Sequence, residues 1–187
     1  MSPNIDDPRL SGPTCLDLTP VNVLHENPWF SVCDRGGYYS VEYHQAQIVI
    51  LPIIQAAGVI LVWARRPLIA DITCELPAGG VQDQESPVQA AARELTEETG
   101  VRVTDLSRFK PVTPYCVTPR YPCLTYVFRI DLTFDEYMNR SLHDQEIERV
   151  ELAGFDQIRQ RITSGEIYLC LPAALLGRFL LGEFRDE

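Results

Sequence analysis

Basic residues are scarce in this chain: 16 Lys and Arg stand against 26 Asp and Glu, for a net charge of −10 over 187 residues. A nucleic-acid or anionic-membrane surface needs clustered Lys and Arg, so this balance argues against both as partners. It leaves phosphate chemistry open, because divalent cations held in an acidic site reverse its local charge. The cysteines Cys15, Cys33, Cys74, Cys116, Cys123 and Cys170 include no CxxC pair and no zinc-like spacing. They read as free thiols, buried in a protein of a reducing compartment. No apolar run approaches the roughly 20 residues that span a membrane. The opening MSPNIDDPRLSGPT is polar and proline-rich, with neither a basic start nor an apolar stretch, and does not read as a signal peptide. A soluble cytoplasmic protein is expected. Internal repeats and low-complexity tracts are also lacking.

What is present is enough for one well-packed domain, with 45% hydrophobic and 22% charged residues, both ordinary for a globular chain. Residues 1–22 read as a loose arm. WFSVCDRGGYYSVEYH then reads as two strands joined at Gly36-Gly37, a hairpin signal. QIVILPII and GVILVWARR are apolar, β-branched runs separated by QAAG, which predicts a second hairpin. TCELPAGG is a short strand entering a proline-glycine turn, and FKPVTPYCV, LTYVFRIDLTF and IERVELAGF are further strands. FDQIRQRITSGE and LPAALLGRFLLGEF close the chain as two helices. Hairpins outnumber βαβ units, so the sheet is expected to be mixed, in an α/β/α domain with a β-rich N-terminal appendage.

The clearest helix follows the proline-glycine turn. Ser86 is a natural N-cap, Pro87 suits the first helical position, Gln89 completes a capping box, and Gly100 supplies the stop. On a wheel of about 100° per residue, Val88, Ala91, Ala92, Leu95 and Thr99 form the core stripe. Glu94 and Glu98 sit together roughly 80–120° to one side of it, and Glu97 points away from the core. Like charges one turn apart repel by about 0.2–0.5 kcal/mol per pair. The row is therefore either a solvated acidic face or a pair of carboxylates converging on a cation. Arg93 can pair with Glu97 one turn on or with Glu85 at the loop–helix junction.

From Gly79 the sequence runs Gly79-x5-Glu85-x7-Arg93-Glu94-Leu95-Thr96-Glu97-Glu98-Thr99-Gly100-Val101. This stretch resembles the Nudix box, G-x5-E-x7-R-E-U-x-E-E-x-G-U with U aliphatic, at every specified position. At average residue usage such a match has a chance on the order of 10⁻⁷, which decides against the solvated-face reading. The surroundings are similar to the ADP-ribose pyrophosphatase branch: CELPAGG before the box, ARRP resembling that branch's QYRP, and DQEIERVELAGFDQIRQRITSGEI after the sheet. The resemblance implies a Nudix-type α/β/α sandwich with a mixed sheet and an N-terminal β-hairpin appendage. Residues 1–44 would be the arm and hairpin, expected to serve dimerisation, and residues 45–187 the Nudix hydrolase domain.

Carried over position by position, the resemblance makes Glu94 and Glu98 the main metal-ligand carboxylates, Glu97 a further ligand and the Ala78 carbonyl a backbone ligand. Gly79, Glu85 and Arg93 would shape the loop, the last two through a salt bridge. The implied cofactor is Mg²⁺, or Mn²⁺, hard cations that suit oxygen ligands and phosphates. The implied reaction splits a nucleoside diphosphate joined to a second group, ADP-ribose giving AMP and ribose 5-phosphate. The general base is expected from the loop HDQEIERV at Glu146, with Asp144 and Glu148 as rivals. Arg65 or Arg66 would clamp a phosphate. Tyr115, Pro119 and Tyr121 lie in the loop that resembles the branch's YPSPG segment, where the resemblance implies that the nucleotide or ribose is held; the final glycine of that segment is Arg120 here. Trp29, Tyr38 and Tyr39 either stack on a base across a homodimer or pack in its interface. Two alternatives are a GDP-mannose or other nucleotide-sugar diphosphatase, and a nucleotide-sensing module that binds without cleaving.

Overall fold

The computed structural model describes residues 6–141 and 144–182. Two sheets carry the fold. The smaller is antiparallel, built from β1 (Val21–Glu26), β2 (Phe30–Arg35) and β3 (Tyr38–Tyr43) in that order. The turn from β2 to β3 falls at Gly36-Gly37 as expected, both glycines having positive φ. The appendage is nevertheless larger than a hairpin. The segment read as a loose arm ends in the first two residues of a third strand, β1, which pairs Val21 with Arg35 and Glu26 with Ser31. All six residues of β1 are exposed, so its sequence shows no inside–outside alternation by which a strand could be recognised.

The larger sheet has seven strands in the order β10-β5-β4-β9-β8, with β6 on β5 and β7 on β4. These are β4 (Gln47–Ile54), β5 (Gly58–Arg66), β6 (Asp71–Glu75), β7 (Ala78–Gly80), β8 (Lys110–Tyr115), β9 (Thr125–Leu132) and β10 (Ile147–Ala153). The sheet is mixed, because β4 runs parallel to β9 while its pairings with β5 and β7 are antiparallel. The predicted β4–β5 hairpin forms, but its ladder holds only at Ile53–Val59 and Ile54–Gly58. Beyond these pairs β7 replaces β5 as the partner of β4. That exchange brings the proline-glycine turn into the sheet.

Helix α1 (Pro87–Thr99) covers one face, and α3 (Phe155–Ser164) and α4 (Cys170–Leu180) cover the other; α2 (Phe134–Met138) is a short turn of helix not foreseen in the sequence. Strands β4 and β5 are apolar on both faces because both are covered. Ile48, Ile50 and Ile60 pack with Ala91, Leu95 and Phe128 on the α1 side. Val49, Leu51 and Leu61 pack with Ile158, Leu175 and Leu176 on the other. Each such fully buried aliphatic side chain contributes about 1.5–3 kcal/mol. Among the described residues, no helix is long and apolar enough to cross a membrane.

The two sheets meet through the loop between β8 and β9. Val41 of β3 donates its N–H to the Arg120 carbonyl at 2.9 Å, and Leu124 donates to the Arg9 carbonyl at 2.7 Å. Arg120, the residue that departs from the branch's glycine, thus joins the loop to the small sheet through its backbone. On the small sheet, Arg35 donates to both carboxylate oxygens of Glu42, at 2.6 and 2.8 Å. Its apolar residues Val23, Leu24, Trp29, Tyr38 and Tyr39 remain more than half exposed.

Candidate active site

Helix α1 begins and ends as its sequence dictates. Gln89 accepts from the Ser86 N–H at 2.8 Å, and Gly100 closes the helix in the left-handed region at φ +75°. Its buried arc is wider than the wheel predicts. Ala90, on the far side of the glutamates from Leu95, is fully buried. The ridge Ala90-Glu94-Glu98, in steps of four residues, therefore lies inside the protected surface rather than at its border. What covers it is β7, the turn drawn into the sheet beside β4.

That contact explains the glycine. A Cβ on Gly79 would stand 1.9 Å from Glu94 Oε1 and 2.2 Å from its carboxyl carbon, so the bare backbone makes room for the carboxylate. The obstructing atoms belong to the end of a flexible side chain, which can move at small energetic cost. Gly79→Ala is therefore expected to leave the melting temperature within about 3 °C of wild type while turnover falls by roughly 10²-fold, because Glu94 is displaced. A parallel loss of fold, or full activity, would contradict this account.

Arg93 braces the loop. Its Nε and Nη2 donate to the two Glu85 oxygens at 3.0 Å each, and Nη2 also reaches the Gly80 carbonyl at 2.8 Å. Its Nη1 donates to Glu94 Oε1 at 2.7 Å and to Glu97 Oε2 at 2.9 Å. The two partners weighed from sequence, Glu85 and Glu97, are thus both engaged, with Glu94 in addition. Glu98 turns instead to β7, accepting from the Ala78 N–H at 3.0 Å.

Burial pushes the Glu98 carboxyl up to about 8; the Ala78 N–H counteracts this and the neighbouring Glu94 adds to it. Glu94 is also raised, again chiefly by burial, although the Arg93 guanidinium pulls the other way. Among the described residues no three His, Cys, Asp or Glu side chains are gathered as a metal-holding group. The reason is visible: Glu94 and Glu97 face Arg93, while Glu98 faces Ala78. The donor set still fits a hard cation, since two adjacent half-buried carboxylates whose ionisation is disfavoured chiefly by burial gain from a shared positive charge. Ala78, whose carbonyl is the expected backbone ligand, meets Glu98 through its N–H.

Strand alternation separates the two arginines at the end of β5. Ile60, Val62 and Ala64 pack toward the α1 side or against Ile147, and Arg66 continues that row in steps of two. Arg66 donates to both oxygens of Glu75, at 2.7 and 3.0 Å, and Glu98 and Glu146 are further negative neighbours that raise its pKa. Arg65 belongs to the opposite row with Trp63 and is paired with Glu148. Both arginines reach a cleft of about 560 Å³ that Pro67, Ile69, Glu146 and Leu169 also line.

The loop of candidate bases is docked on the end of α1. Ser141 donates its N–H to the Gly100 carbonyl at 2.9 Å, and Asp144 donates its N–H to the Glu97 carbonyl at 2.7 Å. Glu146 is exposed, and its carbonyl accepts from the Arg65 N–H at 3.2 Å. Of its rivals, Glu148 is engaged by Arg65.

A second cleft, of about 410 Å³, opens beside Ala78 between Tyr43, Gln47, Thr118, Tyr121 and Leu171. Tyr43 and Tyr121 meet edge to face with ring centroids 4.8 Å apart. Tyr121 lines this cleft, whereas Tyr115 packs in the core beneath α4, with Arg178 over its ring at 5.1 Å. Pro119 is exposed in the turn closed by the Tyr121 N–H to the Thr118 carbonyl at 2.9 Å. Two further residues escape a sequence reading. Tyr43 ends a strand whose pattern carries no functional signal. Glu75 is a buried carboxylate at the end of β6 between the apolar Cys74 and Leu76, and that local oddity is the signal that could have marked it.

The α/β/α sandwich, with a glutamate-bearing helix tucked under a glycine turn, defines the class, and comparison with known proteins agrees. The NUDIX domain model matches residues 43–169, more than half of the chain, and the chain belongs to the Nudix family. It is also 34% identical over 97 residues to the ADP-sugar pyrophosphatase of Mus musculus, a stretch covering 49% of this chain. The match spans 43% of that relative's length.

Proposed function

We propose that the chain is a Mg²⁺-dependent Nudix hydrolase that splits the diphosphate linkage of a nucleoside diphosphate sugar, with ADP-ribose, giving AMP and ribose 5-phosphate, as the leading substrate. The observation that carries this reading is the unbroken box, with Glu94 sheltered beneath Gly79 and Glu98 bound by the neighbouring Ala78 N–H. The similarity to an ADP-sugar pyrophosphatase supports the substrate class. Bound Mg²⁺ or Mn²⁺ would neutralise the diphosphate and lower the pKa of an attacking water.

In this reading Glu94, Glu98 and Glu97 hold the cation, and Arg93 with Glu85 keeps the loop in shape around them. Arg66 takes the clamp role in preference to Arg65, because Glu98 and Glu146 are among its charged neighbours and its fork onto Glu75 leaves Nη1 unused by that carboxylate. Its guanidinium offers a directional grip on phosphate. Tyr43 and Tyr121, in the cleft beside Ala78, supply aromatic faces for the nucleoside, a role moved from Tyr115 and Pro119. Glu146 accepts the proton of the attacking water. Glu146→Gln is expected to lower turnover by about 10²–10⁴-fold with unchanged Mg²⁺ affinity by calorimetry; an unaffected rate would transfer the role to Asp144.

The decisive experiment incubates the protein with Mg²⁺ and ADP-ribose, sugar nucleotides, dinucleoside polyphosphates or NADH, and identifies the products. Turnover of none would sink the hydrolase reading and leave the nucleotide-sensing module. Preferential cleavage of GDP-mannose would replace the substrate. The small sheet, with its exposed apolar side chains, is the element we assign to a homodimer, since exposed apolar surface of this kind marks interaction sites. Light scattering should give twice the 21.2 kDa chain mass, and a monomer at micromolar concentration would refute the assignment.

A further inference from the structure

Among the described residues Glu75 is the least exposed charged one: it is 7% exposed, on β6 between the apolar Cys74 and Leu76. Taking an unpaired carboxylate into such a position is costly. It is stabilised by three contacts. Arg66 donates from Nε to Oε1 at 2.7 Å and from Nη2 to Oε2 at 3.0 Å, and Thr73, itself 2% exposed, donates its hydroxyl to Oε1 at 2.5 Å. Thr73 and Glu75 share one face of β6, two residues apart, opposite Ala64 and Val62 of β5. The chain of contacts is thus anchored in the sheet at one end. It ends at the other in a guanidinium whose side chain is 41% exposed in the cleft beside Glu146.

An arginine this exposed has rotamer freedom to lose whenever it grips a ligand, which weakens binding. A two-point fork onto a buried, immobile carboxylate removes that freedom beforehand, and it leaves Nη1 as the guanidinium nitrogen not used by Glu75. From this geometry we infer that Glu75, held by Thr73, is a positioning residue that pre-orients Arg66 for a phosphate of the substrate. The inference rests on the hydrolase reading given above, so its test includes a readout that needs no turnover.

The experiment compares wild type with Glu75→Gln, Thr73→Val, Arg66→Ala and the Arg66→Ala/Glu75→Gln double variant. In nitrogen-15 NMR spectra of the arginine side chains, Arg66 Nε–H should give a sharp, slowly exchanging signal in wild type. That signal should be lost in Glu75→Gln and broadened in Thr73→Val, whose isosteric change keeps the strand intact. With ADP-ribose and Mg²⁺, Glu75→Gln should raise KM about tenfold with kcat changed less than about threefold, since a clamp acting equally on ground and transition states moves KM alone. The double variant should be no worse than Arg66→Ala, because residues acting through one group are not additive. An unchanged Arg66 signal in Glu75→Gln, or additive losses in the double variant, would overturn the inference. A wild type that turns over no substrate would instead overturn the hydrolase reading, and the clamp role with it.

Discussion

Glu98→Gln is expected to lower turnover by at least about 10³-fold while the fold survives, and to make the metal-free protein more stable above pH 7. The first effect follows from removing a carboxylate that faces β7 at the centre of the box; an amide is a poor ligand for a hard cation. The second follows from burial, which raises the Glu98 carboxyl from 4.5 to about 8. Between those values the folded protein keeps a proton that the unfolded chain has released. Stability of the metal-free protein therefore falls as pH rises through this window. Glutamine has no charge to bury, so it removes that slope. Urea titrations of both proteins at pH 5 and pH 8, in chelator, measure the difference. Equal slopes, or near wild-type rates with Mg²⁺, would refute the placement of Glu98.

Gly100→Ala should be the most damaging single-methyl change at the site. Gly100 lies at φ +75°, where a side chain is disfavoured, and an alanine there costs about 1 kcal/mol from backbone conformation alone. Its Cβ would also stand 2.1 Å from the Ser141 carbonyl oxygen, and backbone cannot swing aside as the Glu94 side chain can. Combined, the loss should reach about 2–4 kcal/mol, the upper range for a point mutation. Ser141 precedes the loop that carries Glu146, and Ser141 and Asp144 both dock on the end of α1. Activity at a temperature where the variant remains folded should therefore also fall, by about tenfold or more, as the base loses its position. A stability change below about 0.5 kcal/mol by urea denaturation would show that Ser141 yields freely, and the proposed docking would be wrong.

Gly100 and Glu98 show how far a linear reading reaches. Gly100 was legible as a helix stop because capping is local, set by a few neighbouring residues. Its second duty, admitting Ser141 from 41 residues further on, has no local trace. The same holds on α1. Its start, its end and its glutamates could be placed from spacing, but the burial of Glu94 and Glu98 could not. A wheel weighs only the polarity of the helix, and the cover over this ridge is β7, a three-residue strand too short for any periodic signal. Strand β1 was hidden for a related reason: all six of its residues are exposed, so it carries no alternation.

The substrate side was least legible. Arg65 and Arg66 are adjacent in the sequence and chemically identical, and only the pleat of β5 sends one to Glu148 and the other to Glu75. Tyr115 and Tyr121 belong to one loop region, yet one packs under α4 and the other lines the cleft beside Ala78. By itself the sequence determined the family box, the helix that bears it, the α/β/α layering and the mixed sheet. These rest on spacing, caps and apolar runs, which are properties of contiguous residues. The tertiary structure alone decided which carboxylates are sheltered, which arginine faces them and which tyrosine meets the cleft. Those outcomes depend on strand pairing and register between distant segments, where a shift of one residue turns every side chain to the other face.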